Sequence, residues 1–137
     1  MKISGQCLCG SVRYHGDAEP RFQVKCYCID CRKVSAAGHA AMMGFPSAEI
    51  ALRGATKEYQ SKADSGSDVW RAFCPTCGAG VYARVSAMPG MIFLRASTLD
   101  NPNLFAPQLA VYASRAPAWD PVTPGIPAFA ERPPPIG

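Results

Sequence analysis

The chain has 137 residues, 48% hydrophobic and 18% charged, a balance that fits one globular domain and excludes a disordered chain. The opening MKISGQCLCG has no apolar stretch suited to a leader, and no later run nears the roughly 18 apolar residues of a membrane span, so a cytoplasmic protein is expected. The formal charge of +4 counts all seven cysteines as neutral; as thiolates around two divalent ions they would remove most of that excess, and no block of like charges argues for nucleic acid.

Taken in chain order, the sequence reads as short strands joined by turns. Apolar residues alternate in SVRYH (11–15) and RFQVKC (21–26), and the pattern returns in VWRAFC (69–74), GVYARV (80–85), MIFLRA (91–96) and QLAVYA (108–113). Turn-forming clusters such as MPG and LDNPN lie between them. Helix is expected only as a short turn from about Ile29 to Val34. The class is mainly β, with small antiparallel sheets and little helix.

From Pro117 onward the texture changes, because seven of the thirteen prolines fall in the last 21 residues. Proline lacks the N–H that a sheet interior needs, so this end is expected to lie outside the sheets. Trp119, Ile126 and Phe129 suggest that 118–129 packs back as an extended strap, leaving 130–137 as a proline-rich tail on a domain spanning 1–129. Trp119 itself is expected in the core, or as a wall of a substrate pocket.

The cysteines form three groups: Cys7 and Cys9, then Cys26, Cys28 and Cys31, then Cys74 and Cys77. The CPTCG segment is a zinc-knuckle pattern, in which C-x-x-C turns both sulfurs inward and Gly78 allows the turn. A knuckle supplies two ligands, and CLC supplies two more. The preferred partition is therefore a closed site of Cys7, Cys9, Cys74 and Cys77, with Cys26, Cys28 and Cys31 on a second ion. Four protein ligands suit a structural zinc, whereas three leave a position open for chemistry. A fourth ligand from His39, His15 or Asp30 would make the second site structural as well, and a binuclear cluster with a bridging thiolate is a further arrangement. Disulfides fit poorly, since the count is odd.

The ordered pattern C-x-C, C-x-C-x-x-C, F-C-x-x-C-G resembles the glutathione-dependent formaldehyde-activating enzymes, a family that includes the centromere protein V-like domains. The segments GQCLCGSVRY, CYCIDCRKVSAAG, RAFCPTCGAGVY and LRASTLDNP carry the resemblance, with a looser RAPAWDPVTPGIPAF closing it. It implies a zinc-bound β-tent fold, with structural zinc at Cys7, Cys9, Cys74 and Cys77 and catalytic zinc at Cys26, Cys28 and Cys31. The activity it implies is a carbon–sulfur lyase type that joins glutathione to formaldehyde. This chain departs from the usual C-H-C in having Tyr27 between Cys26 and Cys28, and the closing P-W and D-G-L-P motifs are altered too.

The expectation is thus an enzyme with two zinc ions and a small thiol such as glutathione as its partner. Three thiolates make zinc a weak acid, which favours capture of a thiol over activation of water. Arg32, Lys33 and Arg71 are candidates for substrate carboxylates, and Ser35 for a proton relay. The alternative is a non-catalytic zinc module that binds protein or nucleic acid, with both metals structural.

Overall fold

The structure, a computed structural model, describes residues 1–133. Ten strands form two sheets. The smaller contains β1 (Lys2–Gln6), β2 (Arg13–Asp17) and β5 (Ile50–Arg53), in the order β1-β2-β5. The larger contains β3 (Phe22–Cys26), β4 (Ala40–Pro46), β6 (Lys57–Lys62), β7 (Asp68–Phe73), β8 (Gly80–Val85), β9 (Met91–Arg95) and β10 (Leu109–Val111). Its order is β10-β3-β4-β9-β8-β7-β6, antiparallel except where β10 runs parallel to β3. The one α-helix among the described residues, α1 (Ile29–Ser35), follows β3 directly.

The sheets pack face to face and divide the apolar residues between two cores. Ile3, Val12, Tyr14 and Ile50 from the small sheet meet Met43, Phe45, Ile92 and Leu94 from the large one. The opposite face of the large sheet carries a second cluster, with Val24, Cys26, Met42, Ala83 and Phe93 beside α1. Cross-strand register explains this division: Val24 pairs with Met42, Met42 with Arg95, and Ala83 with Phe93, so these side chains share one face. A register shift between Ala72 and Phe73 then re-aims the end of β7 toward the cysteine turn that follows.

Strands β1, β4, β5 and β6 were not legible as alternating runs. β4 reads AAMMGFP and is covered on both faces, Met42 in one core and Met43 in the other, so alternation has no reason to appear. β6 is an edge strand whose residues are almost all exposed, with Lys57 and Lys62 at its ends. Its pairing with β7 defines it rather than burial.

The segment from Pro117 does lie back on the domain at the β10 edge. Lys25 Nζ donates to Thr123 Oγ1 at 2.8 Å, and the Tyr27 hydroxyl donates to the Pro121 carbonyl at 3.4 Å. Ala110 N–H donates to the Pro127 carbonyl, Phe129 N–H returns a bond to Ala110, and Tyr112 N–H reaches the Glu131 carbonyl. Trp119 corrects its core expectation, because it is 71% exposed. A turn closed by Asp120 N–H on the Pro117 carbonyl carries Trp119 outward, while Asp120 meets His39. The expected tail falls partly at 134–137, outside the described residues.

Candidate metal centres

The turn between β1 and β2 presents Cys7 and Cys9, and the turn between β7 and β8 presents Cys74 and Cys77. Their four sulfurs lie within 4.8 Å of one another. Cys7 and Cys9 stand 3.7 Å apart, and Cys9 and Cys74 3.8 Å. Sulfurs placed about 2.3 Å from a zinc ion at tetrahedral corners would be about 3.8 Å apart, so these residues fit the ion well. Backbone N–H groups also point at the sulfurs, from Val12 to Cys7 at 3.3 Å and from Thr76 and Cys77 to Cys74 at 3.4 and 3.5 Å. Ser11 Oγ lies 3.1 Å from both Cys9 and Cys74. The Ser11 hydroxyl and then the Cys77 N–H lower the Cys74 thiol to about 5, which favours the thiolate that a metal requires.

The second group lies on the other face of the large sheet. Cys26 ends β3, Cys28 is the N-cap of α1, and Cys31 sits in the helix's first turn. Cys28 Sγ accepts from Cys31 N–H at 3.3 Å, so helix initiation gathers these sulfurs. All three sulfurs lie within 4.8 Å of one another, and no fourth His, Cys, Asp or Glu joins them among the described residues. The first negative charge of the trio settles on Cys28. Contacts from Cys26 and Cys31, with help from the Cys31 N–H and the Arg71 charge, hold its thiol at about 2. Cys26 is pushed upward, first by Cys28, because neighbouring thiolates repel.

His39, one of the three candidates for a fourth ligand, is engaged elsewhere. Its Nδ1 is 2.5 Å from Asp120 Oδ2, and its ring lies against Tyr27. Asp30 and His15 are exposed and outside the trio. Tyr27, fully buried and lying between Cys26 and Cys28 in the chain, thus contributes to the strap and His39 rather than to the sulfurs.

The trio opens into a cavity of about 260 Å³. Met42, Val69, Ala83 and Phe93 supply apolar wall, and Arg71 and Arg95 interrupt it. Arg115 and Asp64 also line it, joined to each other at 3.1 Å. Tyr112 lines it from a left-handed backbone conformation, φ 53°, that a bulky residue seldom adopts.

Of the residues singled out in sequence for substrate contact, Arg71 faces this cavity. Arg32, Lys33 and Trp119 do not line it; Lys33 is exposed on the last turn of α1. Ser35, at the helix end, is also outside it. Arg95 and Tyr112 were missed. A signal for Arg95 was present in MIFLRA, where a charged residue shares a strand face with Phe93.

Residues 2–115 match the family model described as glutathione-dependent formaldehyde-activating enzyme, GFA. The chain belongs to the GFA family. A curated Halomonas elongata protein, named "Putative glutathione-dependent formaldehyde-activating enzyme", is 28% identical over 106 residues, covering 74% of this chain and 68% of that protein. A crystal structure of a Rhodobacter sphaeroides protein shares the fold, with a TM-score of 0.59 at 19% identity, over 92% of this chain and 98% of that one. In this GFA chain both cysteine clusters are arranged to hold metal ions and are compatible with zinc.

Proposed function

We propose that this chain is a zinc-dependent enzyme of the carbon–sulfur lyase type, acting on the adduct of a small thiol, such as glutathione, with an aldehyde such as formaldehyde. The observation that carries this reading is the three-cysteine cluster: it faces a cavity, and no fourth protein ligand accompanies it among the described residues. Family membership and the printed name of the Halomonas relative support the substrate class. The four-cysteine site is proposed as structural, since it brings four sulfurs together from two turns and none of them lines the cavity at the trio.

Zinc held by Cys26, Cys28 and Cys31 would supply a position for an incoming thiol and keep that thiol deprotonated. The chain's own residues prepare that position. Cys26 and Cys31 hold the Cys28 thiol below its ordinary range, toward the thiolate, and the Cys31 N–H donates to its sulfur. Met42, Val69 and Phe93 give the cavity beside the cluster an apolar wall. In the forward direction the thiolate sulfur adds to the carbonyl carbon, the C=O π bond opens, and the former thiol proton ends on oxygen, giving a hydroxymethyl thioether. The reverse direction breaks the carbon–sulfur bond.

The test is to follow exchange between labelled formaldehyde and its glutathione adduct by NMR, with the zinc-loaded protein. The expected result is exchange faster than the uncatalysed rate, lost in Cys28→Ser while near-UV circular dichroism is retained. Exchange at the uncatalysed rate with glutathione and with other small thiols would reject the reading.

A further inference from the structure

Two arginines project from the large sheet into the cavity beside the cysteine trio, and neither has an acidic partner among the described residues. Arg71 is 8% exposed, and its Nη1 donates to Ser61 Oγ at 2.8 Å. Arg95 is 6% exposed, and its Nη1 is fully buried with no hydrogen-bond partner. The acidic residues along the cavity are otherwise placed: Asp64 is paired with Arg115, and Asp30 is exposed on α1.

A buried guanidinium without a partner is costly, so something must offset it. The trio does so in part, since Cys31 acts on Arg95 and Arg71 acts on Cys28. The offset is incomplete. Three thiolates around a divalent ion leave one negative charge, while Arg71 and Arg95 bring two positive ones. One positive charge therefore remains on two arginines that line the space a substrate would fill, and one buried N–H donor of Arg95 stays unpaired. A guanidinium fork matches a carboxylate, which can accept two parallel N–H bonds.

We propose that Arg95 and Arg71 form a carboxylate-binding subsite at the wall of this cavity, so that the thiol substrate is itself a carboxylic acid whose carboxylate enters with its sulfur. The inference takes the identity of the sulfur from the thiol chemistry proposed above, but the anion subsite stands on the arginines alone. It also relocates substrate selection. The basic residues of α1, half-buried Arg32 and exposed Lys33, have no part in it, and the sheet face does the selecting. The apolar residues that line the cavity with the arginines and the trio suit an aliphatic link between sulfur and carboxylate.

The test compares mercaptopropionate, mercaptopropanol and propionate as ligands of the zinc-loaded full chain, by calorimetry. A parallel titration of cobalt-loaded protein reads thiol binding at the metal. Mercaptopropionate should bind about tenfold or more tightly than mercaptopropanol, the scale of one charge-assisted hydrogen bond. Arg95→Gln and Arg71→Gln should each erase most of that advantage, read as the ratio of the two thiols' affinities for the same variant, and Arg95→Lys should restore part of it. If Arg95→Gln does not fold, Arg71→Gln and the binding of propionate to the unaltered protein carry the test. Equal affinity for the two thiols, or an advantage that survives both glutamine variants, would overturn the subsite. Propionate binding that depends on the arginines, with no thiol changing the cobalt spectrum, would support the subsite and reject thiol capture instead.

Discussion

His39 and Asp120 stand 81 residues apart in sequence and meet at 2.5 Å, fastening the C-terminal strap to the loop after α1. Both are about four-fifths buried, and the His39 ring lies on Tyr27. The contact assigns His39 to holding the strap instead of completing a metal site. His39→Ala should therefore leave the zinc content of the purified protein unchanged. Asp120→Ala should lower stability to denaturant by about 1.5–3 kcal/mol, the range for a hydrogen bond with a charged partner, and speed amide exchange at Phe129. A His39→Ala protein that loses one of its two ions would restore His39 as a ligand.

The two cysteine clusters should fail differently. Cys7, Cys9, Cys74 and Cys77 join turns of both sheets, so a metal there closes a long loop and contributes to folding directly. A domain's net stability is only about 5–15 kcal/mol, and Cys9→Ser or Cys74→Ser should leave the chain unfolded or nearly so. Cys28→Ser should stay folded, because the trio spans one strand end and one helix turn already held by β3–β4 pairing. Metal analysis should return close to one zinc for Cys28→Ser and two for the unaltered protein. Equal unfolding by both classes of variant would show the trio to be structural.

How far the sequence foretold this molecule depended on what each residue's signal recorded. Cysteine spacing is local, since C-x-C and C-x-x-C each describe a single turn, and the partition inferred from spacing matches the two groups the fold assembles. Strands with one exposed face were readable for the same reason. β4 was not, because burial on both sides erased its alternation, and β6 was not, because it buries almost nothing. Arg32 and Lys33 looked attractive because they follow Cys31 in the chain. Arg71 and Arg95 reach the trio only through cross-strand register, which no local pattern records. Trp119 misled in the other direction: its type suggested burial, but the turn at Pro117–Asp120 directs it outward.

Acid should release a metal held by the four-cysteine site at a pH set partly by Ser11. The Ser11 hydroxyl is the largest influence lowering Cys74 to about 5, from an ordinary thiol value of 9.0. A thiolate favoured in the folded state contributes stability in full above pH 9.0, and that contribution fades as pH falls toward about 5. Protons then compete with metal for the same sulfur. In Ser11→Ala the Cys74 pKa rises, so protons compete at higher pH. Zinc release followed with a chromogenic chelator should shift its midpoint upward in pH relative to the unaltered protein. A midpoint that does not move would mean that the hydroxyl has no part in holding the thiolate.

Gly44 couples the packing of the large sheet to the cavity. It pairs with Phe22 on β3 and with Phe93 on β9, and the Phe22 ring lies directly over it. A Cβ at position 44 would come within 2.2 Å of the Phe22 ring, far inside any real contact. Phe22 would have to move, yet it meets Phe93 edge-to-face with ring centroids 5.0 Å apart. Phe93 is a wall of the cavity beside the cysteine trio, so strain at Gly44 is passed toward the site. Gly44→Ala should destabilise the protein by about 1–3 kcal/mol, as overpacking of a close-packed core does. It should also weaken thiol binding to the cobalt-loaded trio while the four-cysteine site's absorption stays the same. Phe22→Leu in the Gly44→Ala background should recover part of both losses, because it removes the ring that the new methyl strikes. Recovery of stability without recovery of thiol binding would locate the cavity defect somewhere other than the Phe22–Phe93 contact.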